Sequence, residues 1–213
     1  GCYLNDVPPA VRVYSLYKRE RNFAHRKSLK LYRKHGIRTL LRLNARWKIR
    51  GHYDAIVSFL EGDALLFHDL VRDRAERNIA WLHCDLRLFH WTRKTFRSDS
   101  DEEGAYSRMD TIVFCSHITQ KSFEQMYRVD TPKTVIYNII DQTSIRRQAD
   151  GEQVPHEQFT ITSVGSLSEV KSYDRLVRVA RMFKDAGYRL QFQIVGTGAM
   201  EESLKRLCNE LGL

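Results

Sequence analysis

The chain has 213 residues, 42 % hydrophobic and 29 % charged, with a net charge of +9. That composition belongs to a folded chain of one large domain or parts of two, and it excludes a disordered or fibrous protein. No apolar run reaches the roughly 18 residues of a membrane-spanning helix. The positive charge is local: from Tyr17 to His52 thirteen Lys or Arg face one acid, Glu20. Cys2, Cys84, Cys115 and Cys208 form no C-x-x-C pair. Cys84 and Cys115 stand in apolar runs as small hydrophobes, so the set reads as reduced, in a cytoplasmic protein. Gly1 opens the chain with no basic-then-apolar leader, and the lack of a Met there leads to the expectation of a natural start upstream.

Val11–Leu16 alternates and is β-branched enough to predict a strand. The basic segment follows as amphipathic helix, with Leu29, Tyr32, Leu40, Leu41, Leu43 and Trp47 among its cations and a break near Gly36. Tyr53–Leu60 is a short apolar run of the kind covered on both faces in parallel sheets, and Asp63–Arg72 is helical. Ile79–Cys84 and Thr111–Cys115 are strands, Ser116–Tyr127 is a helix, and Thr134–Tyr137 is a strand closed by Asn138. Asp141–Glu157 turns polar around Gly151 and Pro155 and reads as a linker. Beyond it the pattern restarts: strand Phe159–Val164, a helix stopped by Gly187, strand Leu190–Val195, and a helix through Met200, Leu204, Leu207, Cys208 and Leu211 before Gly212. Alternation of strand and helix predicts an α/β fold with parallel sheets, divided into residues 1–150 and 151–213.

In open α/β sheets ligands bind beyond the carboxyl ends of strands. Two such ends carry glycine. Val164-Gly165-Ser166-Leu167 leads past Lys171 into a helix with Ser172 as its N-cap, a place for a diphosphate or an ordinary β–α loop. Val195-Gly196-Thr197-Gly198 also precedes a helix. It lacks the third glycine of the dinucleotide fingerprint and equally describes a tight β–α turn.

Six segments in order resemble one family: Tyr53–Gly62, Ile79–Asp85, Val113–Ser116, Val135–Asn138, Val164–Leu176 and Ile194–Gly198. They are similar to the family 4 retaining glycosyltransferases of the GT-B fold, and the first half resembles members acting on bacterial cell-surface polysaccharides. The resemblance implies two Rossmann-like domains, both incomplete in this chain, with the acceptor-side domain first. It also implies a hexosyl transfer from a nucleotide sugar, a UDP-sugar for preference, to a lipid-linked or polysaccharide acceptor. Lys171 would clamp the diphosphate, with Gly165, Ser166, Gly196, Thr197 and Gly198 around the donor. His83 would stand near the reaction centre as the catalytic residue, and Glu61 and Gly62 on the acceptor side. No metal or other cofactor is required. Ser166 stands where the family has Arg. The family's Glu-x7-Glu would lie beyond Leu213 and its first Gly-rich loop before Gly1, so the chain reads as truncated at both ends and inactive alone. Glu202 and Glu210 share the Glu-x7-Glu spacing by accident inside an amphipathic helix. A non-catalytic sugar-nucleotide-binding relative and a basic nucleic-acid-binding α/β protein are the rival readings.

Asp99–Gly104 opens like a calcium-binding loop, but a strand follows where the exiting helix should be, so it reads as an acidic solvated loop. His83, Cys84, Asp85 and His90 do not combine into a metal set, because neighbouring strand residues point to opposite faces. The basic segment at residues 17–52 fits the anionic inner surface of the cell membrane or a plain solvated face. Its interleaved Leu and Trp favour a membrane over nucleic acid, which is not expected as a partner.

Overall fold

The computed structural model describes residues 6–16, 23–151 and 157–213. It divides into two compact units, Gly1–Ile140 and Asp141–Leu213. The sequence pattern placed that division later, at 150/151. The difference arises because the polar stretch expected as linker folds: Asp141 caps a helix, α6, over Gln142–Ala149 by accepting from the Ser144 N–H. Pro155 and the rest of 152–156 lie outside the described residues.

The first unit carries helices α1 (Phe23–His35) and α2 (Thr39–Lys48) separated at Gly36, whose φ of +73° needs glycine. Strands β1 (Tyr53–Ser58), β2 (Ala75–Leu82), β3 (Thr111–Phe114) and β4 (Lys133–Val135) follow, with α3 (Asp63–Val71), α4 (Asp99–Ser107) and α5 (His117–Met126) between them. The strands form one parallel sheet in the order β1-β2-β3-β4, as α/β alternation predicts. Helix α3 explains its own apolar sequence. It packs against β1, β2 and α2, so Leu65, Leu66, Phe67, Leu70 and Val71 are all buried. Tyr32 and Leu41 from the basic helices, Ile112 and Phe114 from β3, and Phe123 from α5 complete this core.

Four expectations fail here. Val11–Leu16 forms no strand; the run starts from a turn in which the Val11 N–H donates to the Pro8 carbonyl (2.9 Å), and it joins neither sheet. Tyr53–Leu60 is not covered on both faces, since β1 is an outer strand with Tyr53 40 % and Val57 46 % exposed. Asp99–Gly104 is not a solvated loop but the body of α4. Ser98 caps it by accepting from the Asp101 N–H, and its early acids complement the helix dipole. Cys84 is exposed, not a core hydrophobe.

The second unit pairs β5 (Phe159–Val164) with β6 (Leu190–Val195) in parallel. Helix α7 (Tyr173–Asp185) buries Tyr173, Val177 and Ala180 at helical spacing, and α8 (Glu201–Glu210) buries Leu204 against them. Arg181 and Lys184 of α7 donate to the carbonyls of Leu211 and Gly212, satisfying the end of α8. Among the described residues no helix is long and apolar enough to cross a membrane.

Candidate functional site

In each unit the expected site residues lie at the carboxyl edge of the sheet. In the first unit the chain leaves β1 through Glu61 and Gly62. Glu61 is only 2 % exposed, and both its oxygens are used. Oε2 accepts from the His83 N–H (3.1 Å) and Oε1 from the Trp91 indole N–H (3.2 Å). One buried carboxylate therefore ties together the ends of β1 and β2 and the segment after β2. Gly62 has φ +73° and ψ −123°, and a Cβ there would fall 2.5 Å from Trp91 Cη2. Glycine is required twice over, by the backbone and by the indole.

His83 stands beside this carboxylate. Its ring lies 4.7 Å from Phe59 and 6.1 Å from Trp81, nearly parallel to the latter, and Nδ1 is buried without a hydrogen-bond partner. The Cys115 thiol at the end of β3 donates to the His83 carbonyl (3.5 Å). Ser116 then caps α5 by accepting from the Thr119 N–H (3.2 Å). The structure thus brings His83, Glu61 and Gly62 together. Cys84 joins them: the residue is exposed, but burial of its sulfur and the neighbouring Glu61 carboxylate push the thiol up to about 11. Asp85 serves structure, accepting from the Arg87 N–H (3.0 Å), the Leu88 N–H (3.2 Å) and the Ser122 hydroxyl (2.6 Å).

Two residues of this edge were not legible as functional in the sequence. Trp91 is the clamp on Glu61, and Glu102 holds Trp91's neighbours. Glu102 is fully buried in α4, accepts from the Thr92 hydroxyl (2.9 Å) and meets His90 Nε2 (3.0 Å), which also contacts the Tyr127 hydroxyl (3.0 Å). Burial raises the Glu102 carboxyl above its usual range. The only available signal was helical: Glu102, Ala105 and Tyr106 share one face, and all three are buried.

In the second unit the two glycine turns are joined backbone to backbone. The Gly165 N–H donates to the Val195 carbonyl (3.0 Å), the Leu167 N–H to that of Thr197 (2.9 Å), and the Met200 N–H to that of Leu167 (3.0 Å). Side chains have no room. A Cβ on Gly196 would lie 1.8 Å from the Gly165 carbonyl oxygen, and one on Gly198 2.3 Å from that of Leu167. The glycines thus act by close backbone approach, the tight β–α turn of the sequence reading. Lys171 ends a short 3-10 turn, Glu169–Lys171, and a Cβ placed on Gly165 would meet its Cε at 3.9 Å, so the lysine stem folds over the first turn. Its ammonium has no carboxylate partner among the described residues. Ser166 is exposed, its hydroxyl 3.3 Å from that of Ser168.

Ser172 is not the N-cap expected from its position. It adopts φ +50° and makes no side-chain cap, because the chain must turn sharply from the 3-10 turn into α7. Glu202 and Glu210 lie exposed on α8, and Glu202 pairs with Lys205 (3.4 Å). Among the described residues no group of three or more His, Cys, Asp or Glu side chains is placed to hold a metal ion.

Residues 144–213 match the family model described as "Glycosyl transferases group 1". No curated protein matches the chain. Among solved structures, a mutant of S. aureus TarM in complex with Fondaparinux, alpha-GlcNAc-glycerol and UDP aligns with a TM-score of 0.49 and 12 % identity. The alignment covers 66 % of this chain and 27 % of that one. The second unit, with both glycine turns and Lys171, is thus the part of this protein that is similar to group 1 glycosyl transferases.

Proposed function

We propose that this chain is the central part of a retaining glycosyltransferase of the GT-B class, in family 4. It would move a hexosyl group from a nucleotide sugar, a UDP-sugar for preference, to a lipid-linked saccharide or polysaccharide precursor in the cytoplasm of a bacterium. The observation that carries this reading is that the group 1 family match includes two interlocked β–α turns, with an unpaired lysine folded over the first of them. A departing nucleoside diphosphate needs its charge neutralised. Lys171 and the N–H groups opening α7 supply that at the strand end where such ligands bind. His83, whose backbone N–H is held by Glu61, would be the catalytic residue of the first unit, with Glu61 and Gly62 shaping its acceptor edge. The donor is itself the substrate, and the reading calls for no further cofactor.

Calorimetric titration with UDP, GDP and ADP tests it. One nucleotide should bind at micromolar strength, and Lys171→Ala should weaken it about 10- to 100-fold, the loss of one charge-assisted contact. Equal binding by the variant would remove the donor site from these turns. Ser166 favours a second reading, a sugar-nucleotide-binding relative without catalysis. An exposed serine brings no charge where the family has arginine. Tight nucleotide binding by the whole protein, with no transfer to any acceptor, would select it.

A further inference from the structure

Helix α2 is amphipathic on both sides. Leu41 and Ala45 face the core with no exposure, while Leu40, Leu43 and Trp47 are 50 %, 60 % and 67 % exposed. At spacings of three and four residues these three side chains form one outward stripe. Cations frame it: Lys48 and Arg50 lie 5.6 and 5.5 Å from the Trp47 ring. Helix α1 repeats the arrangement, with Phe23 70 % exposed and Lys27 at 4.5 Å from its ring. Beside it, Arg26, Lys30, Arg33 and Lys34 line a groove of about 470 Å³ whose other wall is Arg93 and Arg97. From Phe23 to Lys48 there are nine Lys or Arg and no acid. Arg26, Lys30, Arg33 and Lys34 have no carboxylate partner among the described residues.

We propose that the α1–α2 pair docks the protein on an anionic bilayer, with Leu40, Leu43 and Trp47 entering the headgroup boundary and the α1 groove holding lipid phosphates. Charge alone would suit any polyanion. The exposed Leu40 and Leu43 are what select a membrane: a base can stack on Trp47, but nucleic acid offers the two aliphatic side chains no comparable apolar medium. The inference rests on the preceding reading only for the lipid-linked acceptor it would bring within reach. It goes beyond it in naming the face and the residues that bind.

The test is co-sedimentation of the whole protein with vesicles of phosphatidylcholine alone or mixed with phosphatidylglycerol, with a single-stranded RNA titration in parallel. Wild type should sediment with the anionic vesicles only. Lys30→Gln and Lys34→Gln should each weaken binding about fivefold. Leu43→Gln with Trp47→Gln should weaken it about tenfold or more. All of these residues are exposed, and the same samples should bind the nucleotide as wild type does, which separates this proposal from the donor site. Failure of wild type to sediment overturns it. So does sedimentation unchanged by the Leu43/Trp47 substitutions, or tight salt-sensitive RNA binding without vesicle binding.

Discussion

Gly62→Ala tests the carboxyl edge of the first sheet at its tightest point. The residue sits at φ +73° and ψ −123°, a region that only glycine enters freely, and the added methyl would lie 2.5 Å from Trp91. Backbone strain costs about 1–3 kcal/mol. Driving the indole away also breaks its bond to the buried Glu61 carboxylate, a further loss of about 1.5–3 kcal/mol for a charge-assisted donor. The total, about 2.5–6 kcal/mol, should appear as a lower urea midpoint with an unchanged slope in equilibrium unfolding. The same substitution made on Trp91→Ala should cost only the backbone part, because the clash and the bond are already gone. A coupling of about 1.5 kcal/mol or more is therefore expected between the two positions. If Gly62→Ala costs the same in both backgrounds, the indole does not enforce glycine here and the clamp on Glu61 is misassigned.

Asp69 is the buried hub of an ion network, with Arg108 at 2.7 and 2.8 Å and Arg38 at 3.1 Å on a side chain 1 % exposed. Asp69→Ala should cost about 3–5 kcal/mol in urea unfolding, since the guanidinium groups lose a buried partner. His68 bridges Ser58 (3.1 Å) and Asn78 (3.0 Å), and burial holds its pKa below the ordinary 6.5. A depressed histidine is protonated first in the unfolded chain, so its contribution is complete above pH 6.5 and is lost as pH falls below it. The slope is at most about 1.4 kcal/mol per unit, and His68→Gln should flatten it across that window. Cys84 should react slowly with iodoacetamide at pH 8 despite its exposure, with a rate midpoint near pH 11. Fast alkylation at pH 8 would show that its sulfur does not face the Glu61 carboxylate.

Local pattern was sufficient wherever an element's own residues carried its reason. Phe159–Val164 and Leu190–Val195 are strands with the bounds read from their alternation and closing glycines. The break at Gly36 and the stop at Gly187 follow from positive φ. The glycine turns were legible as turns, whereas His83, Glu61 and Gly62 were picked out by the family resemblance and not by pattern. What tertiary structure alone decided is which polar groups are inside. Asp99–Gly104 looked solvated because charge is normally left in water, yet Glu102 is buried. Its partners His90, Thr92 and Tyr127 come from segments that only folding brings near. Cys84 looked like core from its apolar run, but the chain leaves the sheet just before it, and exposure is set by where a strand ends. Val11–Leu16 had the composition of a strand but joins neither sheet among the described residues. A helix satisfies its backbone within itself and can be read from one segment; a strand, or a buried charge, is completed only by residues distant in sequence.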